Sequence, residues 1–301
     1  MGTESKYTPD NYQFDIPQFK IRASAIGKIM TEPAGKSVRE KITDLRQVLA
    51  DKRAKLETIK PTLKTYANTL ASIAKTEAEI DRLLPDIDKV RLSQTCITLL
   101  EEWCNQFVYN RRSEFSSKYT DKGNAVEDEA ILYAMGHVKE LGLASKNLEK
   151  FSDEHLQGSP DIITDTHIFD IKSSWSHDTF PLYDQELPES DYAWQVLGYM
   201  ALTGKQAGAV VFCLMSMPEE LIRKEAKWKL GYDYDEDKYQ EFADAFRYDD
   251  LPAYLRIRQF TVQYDEEKIE AIRKRVTECR QYINDVIVPA LERNAKMFAE
   301  L

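Results

Sequence analysis

GSPDIITDTHIFDIKSSW, residues 158–175, carries the densest chemistry in the chain. Pro160 and Asp161 sit at a turn, and Ile168 to Lys172 follow as a strand of alternating character. Side chains alternate along a strand, so Asp170 and Lys172 share one face while Phe169 and Ile171 point into the core. A tight turn between two antiparallel strands would return Asp161 to the side of Asp170. Two carboxylates meeting at a sheet edge, with the Ile171 carbonyl as a further ligand, make an oxygen site for a hard divalent cation. A lysine ammonium beside such a cation orients or deprotonates an attacking water and balances charge on a phosphate. Alone, an acid-x-Lys triplet is better explained by a solvated strand face with an ion pair, so its surroundings decide.

Two further stretches bear on it. In KGNAVEDEAI, residues 122–131, Glu127 stands four residues after Gly123 in the first turn of an expected helix, where it would add a third carboxylate; an acid there is also favoured by the helix dipole. In DYAWQVLGYMALTG, residues 191–204, Gln195 and Tyr199 are spaced i and i+4, so an amide and a phenol share one helix face. Either feature taken singly is ordinary core or surface decoration.

Taken in order, Gly123-x-x-x-Glu127, Pro160-Asp161, Asp170-x-Lys172 and Gln195-x-x-x-Tyr199 resemble the PD-(D/E)xK nuclease superfamily, and more closely its phage lambda-type alkaline exonucleases, the YqaJ-like viral recombinases. RASAIGKIM, residues 22–30, looks like that family's opening helix, where Ser24 and Ala25 begin a segment lining the DNA-end site. The resemblance covers roughly residues 20–32 and 95–300. It implies an α/β fold with a restriction-endonuclease-like core, a mixed sheet flanked by helices. Carried over residue by residue, it implies metal ligation by Glu127, Asp161, Asp170 and the Ile171 carbonyl, a catalytic Lys172 and an active-site Gln195, with Mg²⁺ as the cofactor and Mn²⁺ able to substitute. Asp170 departs from the closest relatives, which use Glu there, though it stays within the superfamily pattern. The arginine that grips the 5′ phosphate in those relatives has no clear counterpart; Arg22, Lys28, Arg111 and Arg112 are the candidates.

Working outward, Ser37 to Ile87 has its own period: Ile42, Leu45, Leu49, Leu56, Ile59, Leu63, Tyr66, Leu70, Ile73, Ile80, Leu84 and Ile87 follow steps of three and four, broken only by Lys52 and Glu77. That spacing predicts a coiled-coil arm. Pro61 favours an antiparallel hairpin folded near Lys60, because proline suits a first helical turn. Continuity of phase across it favours one bent helix, so both geometries stand. The expected organisation is an N-terminal segment and opening helix over 1–36, the inserted arm over 37–91 and a nuclease core over 92–301.

Within that core the pattern predicts helices over Leu92–Phe107, Asn124–Leu141, Asp191–Thr203 and Asp265 to about Leu301. It predicts strands over His167–Lys172, Ala209–Met215 and Tyr254–Val262. Tyr109 to Lys122 holds Arg111, Arg112, Lys118 and Lys122 against Glu114 and Asp121, and reads as a solvated loop or a phosphate contact. Tyr232 to Asp250 carries eight acids against Lys238 and Arg247, as expected of a solvated, partly helical insertion.

Composition bounds these readings. The chain has 301 residues, 43% hydrophobic and 31% charged, which excludes collagen-like, low-complexity and mainly disordered classes. Acids outnumber bases 51 to 41, for a net charge of −10, so a generally basic polyanion binder is excluded while a local basic groove is not. Residues 1–20 are polar and no apolar run is long enough to span a bilayer, so no membrane association and a cytoplasmic location, the bacterial host's if phage-encoded, are expected. Cys96, Cys104, Cys213 and Cys279 form no C-x-x-C pair, and His137, His155, His167 and His177 lack ligand spacing, which disfavours zinc and iron–sulfur sites. No G-x-x-x-x-G-K-[S/T] loop is present, so no ATP hydrolysis is implied.

The leading expectation is therefore a Mg²⁺-dependent exonuclease acting on double-stranded DNA ends, 5′ to 3′, making single strands for phage-type homologous recombination. The resemblance further implies a ring-forming homo-oligomer. The arm would be an oligomer contact, a dock for a single-strand annealing protein, or a brace on its own domain. A restriction- or resolvase-type endonuclease is the alternative within the same fold, and a non-catalytic DNA-binding protein the alternative outside enzymes.

Overall fold

The computed structural model describes residues 15–111, 117–188, 190–231 and 234–299. The chain divides into two compact units, one comprising Met1–Met30 with Thr98–Leu301 and the other Thr31–Ile97. Its strands are β1 (Ile21–Arg22), β2 (Phe151–Ser152), β3 (Leu156–Gly158), β4 (Ile162–Ile163), β5 (His167–Ser173), β6 (Ala207–Cys213) and β7 (Ile257–Gln263). Its helices are α1 (Ile26–Ile29), α2 (Val38–Glu57), α3 (Lys64–Leu83), α4 (Gln94–Val108), α5 (Lys118–His137), α6 (Ser190–Thr203), α7 (Glu219–Leu230), α8 (Glu236–Asp244), α9 (Glu266–Tyr282) and α10 (Val288–Ala299). The fold is mixed α/β.

The first unit is built on a sheet in the order β4-β5-β6-β7, with β5 and β6 parallel and both outer pairs antiparallel. On one face Phe169, Ile171, Ala209, Val211 and Cys213 pack under Val126, Ala130, Ile131 and Ala134 of α5. On the other face α6 lies so close that a Cβ on Gly208 would stand 2.6 Å from Val196 Cγ1 and 2.8 Å from Met200 Cε. Glycine at that position is what lets helix and strand meet. The N-terminal piece reaches α6 by the same device, since a Cβ on Gly198 would stand 2.4 Å from Ile26 Cδ1. A second small sheet, β1-β3-β2, pairs residues 21–22 in parallel with 156–157. Its strands of two or three residues are too short to leave a periodic signal, and the sequence reading misses them.

The central elements fall close to their expected spans, with informative shifts. Helix α5 starts at Lys118 rather than Asn124, because Ser117 closes a capping box with Thr120. Part of the basic stretch is thereby helical, and Lys122 is buried. The expected long C-terminal helix is interrupted at Ile283–Ile287 by a π-helical turn. Helices α7 and α8 share a small core of Met217, Ile222, Ala226, Tyr239 and Ala243, so the acidic insertion is anchored rather than merely solvated.

The second unit is a helical hairpin, α2 and α3, with Pro61 in the turn between them. Of the two geometries open from the sequence, the hairpin is the one formed. Helix α2 turns Ile42, Leu45, Leu49, Lys52 and Leu56 inward, as its period requires. Helix α3 keeps Ile73 and Ile80 of the expected stripe buried and Tyr66 half-buried, departs from it at the half-exposed Leu70, and buries Thr76 next to the expected break at Glu77. Lys52 Nζ donates to Thr76 Oγ1 at 2.8 Å, so the polar break in the stripe is paired inside the seam. Among the described residues no helix is long and apolar enough to cross a membrane.

Candidate active site

The local fold around residues 158–175 follows from one short hairpin. Thr164 N donates to the His167 carbonyl at 2.9 Å, closing the turn between β4 and β5. The register sets Ile162 opposite Phe169 and Ile163 opposite Ile168. One step further out, that register places Asp161 across from Asp170, on the same face of the sheet. Asp161 Oδ2 accepts a 2.6 Å hydrogen bond from the Ile171 amide, which ties the turn to the strand.

Asp170 is 2% exposed. Its Oδ1 accepts from Gln195 Nε2 at 3.0 Å, and its Oδ2 lies 2.8 Å from Lys172 Nζ. Beyond this ion pair, Oδ2 accepts no hydrogen bond from any described residue. A buried carboxylate oxygen with a lone pair left over is a misfit in a finished core and a fit for a cation ligand. Asp161 carries the matching electrostatic sign. Burial and the neighbouring Asp170 charge push its carboxyl up to about 7, against the opposing pull of the Ile171 amide and Lys172. Burial by itself lowers Lys172, but Asp170 and Asp161 outweigh it and hold the ammonium above the usual lysine value. Two acids facing one lysine are left with excess negative charge, which a divalent cation relieves.

Helix α6 supplies the wall of the site. Gln195 Nε2 also donates to the Tyr199 hydroxyl at 2.9 Å, and Gln195 Oε1 accepts from Lys172 Nζ at 3.4 Å. The amide thus ties strand acid, lysine and phenol into one network. Tyr199 is 5% exposed, and burial together with the Asp170 charge raises its hydroxyl to about 12. With Arg22 and Ser24 it is a candidate DNA contact from the sequence, and in the structure its hydroxyl accepts from Gln195 while the residue lines the cavity that Arg22 and Ser24 share. Tyr192, one turn before Gln195, presents its ring 5.1 Å from Lys172 Nζ. That residue was missed in the sequence reading, although its i−3 spacing from Gln195 put it on the same helix face.

Glu127 lies in the wall of the same cavity, about 770 Å³ in volume, but its carboxylate is engaged elsewhere. Its Oε1 is 2.8 Å from Lys146 Nζ, which also pairs with Asp128 at 2.7 Å. Among the described residues no three acid, histidine or cysteine side chains stand together as a metal-binding group. The structure therefore joins Asp161, Asp170, Lys172 and Gln195 and leaves Glu127 at the rim. Lys122, read from sequence as part of a basic run, has a different place: its Nζ donates to the Ser174 and Trp175 carbonyls at 2.7 and 2.9 Å. It clamps α5 to the end of the strand that carries Lys172, and burial pushes its ammonium down to about 8.

The candidate phosphate-gripping residues are dispersed. Arg22 and Arg111 line a separate hollow with Trp103 and Phe107, and Arg22 and Ser24 line another beside Tyr199. Lys28 is exposed on α1 and lines none of these cavities. Arg112 lies outside the described residues.

No family model and no curated protein matches the sequence. Solved structures do match by shape. A phage-related exonuclease from Haemophilus somnus 129PT aligns with a TM-score of 0.62 at 23% identity, covering 92% of this chain and 98% of that one. The alkaline exonuclease LHK-Exo from Laribacter hongkongensis aligns at 0.48 and 14% identity, and in its complex with dAMP at 0.50 and 15%, each over 92% of this chain and 94% of that one. With a sheet, flanking helices and acid pair in place, this chain has the fold of the phage-related alkaline exonucleases.

Proposed function

We propose that the chain is a divalent-cation-dependent deoxyribonuclease of the PD-(D/E)xK type that hydrolyses phosphodiester bonds from the ends of double-stranded DNA. The observation that carries this reading is the buried Asp170, whose Oδ2 accepts no hydrogen bond, facing Asp161 across one strand pair with Lys172 and Gln195 fixed beside it. Asp161, Asp170 and the Ile171 carbonyl would hold Mg²⁺, for which Mn²⁺ substitutes, and Glu127 would join them from the cavity wall. When bound, the ion supplies a polarised water and a counter-charge for the scissile phosphate. Lys172, kept protonated by the two acids, orients that water and neutralises developing charge on the phosphoryl oxygens. Gln195 fixes the Asp170 carboxylate, and the Tyr192 ring holds the Lys172 ammonium in position.

The order of motifs supports extending the proposal to 5′-to-3′ resection that leaves single strands for phage-type recombination. A ring-shaped homo-oligomer in the host cytoplasm and a single-strand annealing partner belong to the same extension. The test is a linear duplex labelled at either end, incubated with Mg²⁺ or with EDTA beside a closed circle. Mg²⁺-dependent release of the 5′ label with the circle intact is expected. Cutting of the circle would replace the exonuclease reading with an endonuclease one, and the absence of cleavage in Mg²⁺ and, in a repeat, in Mn²⁺ would remove the nuclease reading.

A further inference from the structure

We propose that a ledge formed by Lys118, Tyr119, Trp175 and Trp228, beside the catalytic cavity, binds single-stranded nucleic acid. Trp228, near the end of α7, is 75% exposed and Tyr119 is 59% exposed, an unusual disposition for two large aromatic rings. They are not isolated. Lys118 Nζ sits 5.5 Å from the Tyr119 ring centroid, 4.9 Å from that of Trp175 and 5.7 Å from that of Trp228. Tyr119 and Trp175 meet edge to face at 5.3 Å. One lysine thereby gathers three rings into a single surface.

The ledge is continuous with the site described above, because Tyr119 and Trp175 also form part of the wall around Asp161 and Asp170. Away from that wall it opens into a hollow of about 860 Å³ rimmed by Lys118, Arg223, Lys224, Lys227, Glu220 and Glu225. Lys118 pairs with Glu225, Arg223 with Glu219 and Lys224 with Asp121, so the rim is charge-balanced and its distinguishing feature is the exposed rings.

The chemistry selects one class of ligand. Flat unpaired bases satisfy the rings, whereas duplex bases hide their faces in their own stack, and the lysines beside the rings accommodate a phosphate backbone. A protein partner fits less well, since interface cores are depleted in lysine and glutamate while here Trp228 is surrounded by them. The ligand is thus an unpaired strand, held by stacking on Trp228 and Tyr119 with its phosphates near Lys224 and Lys227. The ledge's use in handling the strand that escapes cleavage rests on the nuclease reading, but the binding itself does not.

Binding is measured by fluorescence anisotropy in EDTA, with a labelled oligo-dT of about 16 nucleotides and an abasic oligomer of the same length and charge. The intact chain is expected to prefer oligo-dT by about tenfold or more. Trp228→Ala should lose that preference, and Trp228→Phe should keep most of it. Equal binding of the two probes by the intact chain would overturn the ledge, as would unchanged oligo-dT affinity in Trp228→Ala. A Trp228→Ala protein that sediments as a smaller species with unaltered affinity would assign the surface to a second copy instead. Duplex cleavage in Mg²⁺ is read in parallel: cleavage without base-dependent binding removes the ledge alone, and base-dependent binding without cleavage removes the nuclease reading alone.

Discussion

Replacing Asp161 by Asn should stabilise the metal-free protein at alkaline pH while abolishing its cleavage. Asp161 titrates at about 7 against an ordinary value of 3.8, with burial the larger cause and the Asp170 charge the next. Its folded-state pKa is raised, so between about 4 and 7 the native state holds a proton that the unfolded chain has lost. Native stability therefore falls as pH rises through that window and stays low above it. A gap of roughly three units corresponds to about 4 kcal/mol. Partial exposure of Asp161 lets solvent screen the repulsion, which brings the working figure to about 2 kcal/mol. Asparagine keeps an oxygen able to accept the Ile171 amide and leaves the Lys172 pair with Asp170 intact.

In EDTA, thermal midpoints of the variant and the natural chain should coincide near pH 4.5 and diverge toward pH 8.5. The variant should be higher there by about 4–8 °C. Adding Mg²⁺ at pH 8 should raise the midpoint of the natural chain and leave the variant nearly unmoved, since a ligand stabilises only the state that binds it. A variant no more stable than the natural chain at pH 8.5, or a difference independent of pH, would refute the claim that these acids oppose each other in the folded state.

Lys172→Met should reduce cleavage by at least about 100-fold and lower metal-free stability most at high pH, where it removes the cation facing both acids; cleavage assays and midpoints against pH check both. Gln195→Ala should lower kcat by about 10- to 100-fold with little change in KM for DNA, because it frees the Asp170 carboxylate without touching substrate; an equal rise in KM would instead make Gln195 a DNA contact. Gly208→Val should cost about 1–3 kcal/mol in urea unfolding, because its Cβ meets Val196, Met200 and Ile168 at under 3 Å.

The sheet and the acid pair were legible because they rest on short-range rules. Alternation placed Asp170 and Lys172 on one face, and a tight turn was enough to return Asp161 to Asp170. What was not legible depends on contacts distant in sequence. Lys122 reads as one more charge in a basic run until the Ser174 and Trp175 carbonyls, some 50 residues away, are found to accept from it. The hairpin misled in another way: hydrophobic phase runs through Pro61, and Ile73 and Ile80 follow it into the seam, yet nothing in that phase shows that Thr76 is buried to give Lys52 a hydroxyl. The partner of a seam lysine is not written in the period of the seam. Glu127 marks a similar limit: expected in the first turn of its helix, it lies in the third because Ser117 caps the helix earlier, and its ion pair with Lys146 is not readable either.

The energetic character of the acid pair is not an accident of placement, because every group near it works to keep it in place. The Ile171 amide fixes Asp161, the Gln195 amide fixes Asp170, and Tyr199 and Lys172 fix Gln195 in turn. Behind them, Lys122 ties α5 to the strand end and Gly208 brings α6 onto the sheet. A flexible site would relieve two neighbouring carboxylates by letting one swing into solvent. This one is denied that relief, so the repulsion persists as stored free energy that a cation or a proton can release. Were the proposed cation to bind there, proton and cation would compete for the same oxygens, and metal affinity would rise with pH through about 7, where Asp161 gives up its proton. The same rigidity that keeps the two acids opposed would then make a bound ion's position reproducible, as the proposed hydrolytic centre requires of its ligands.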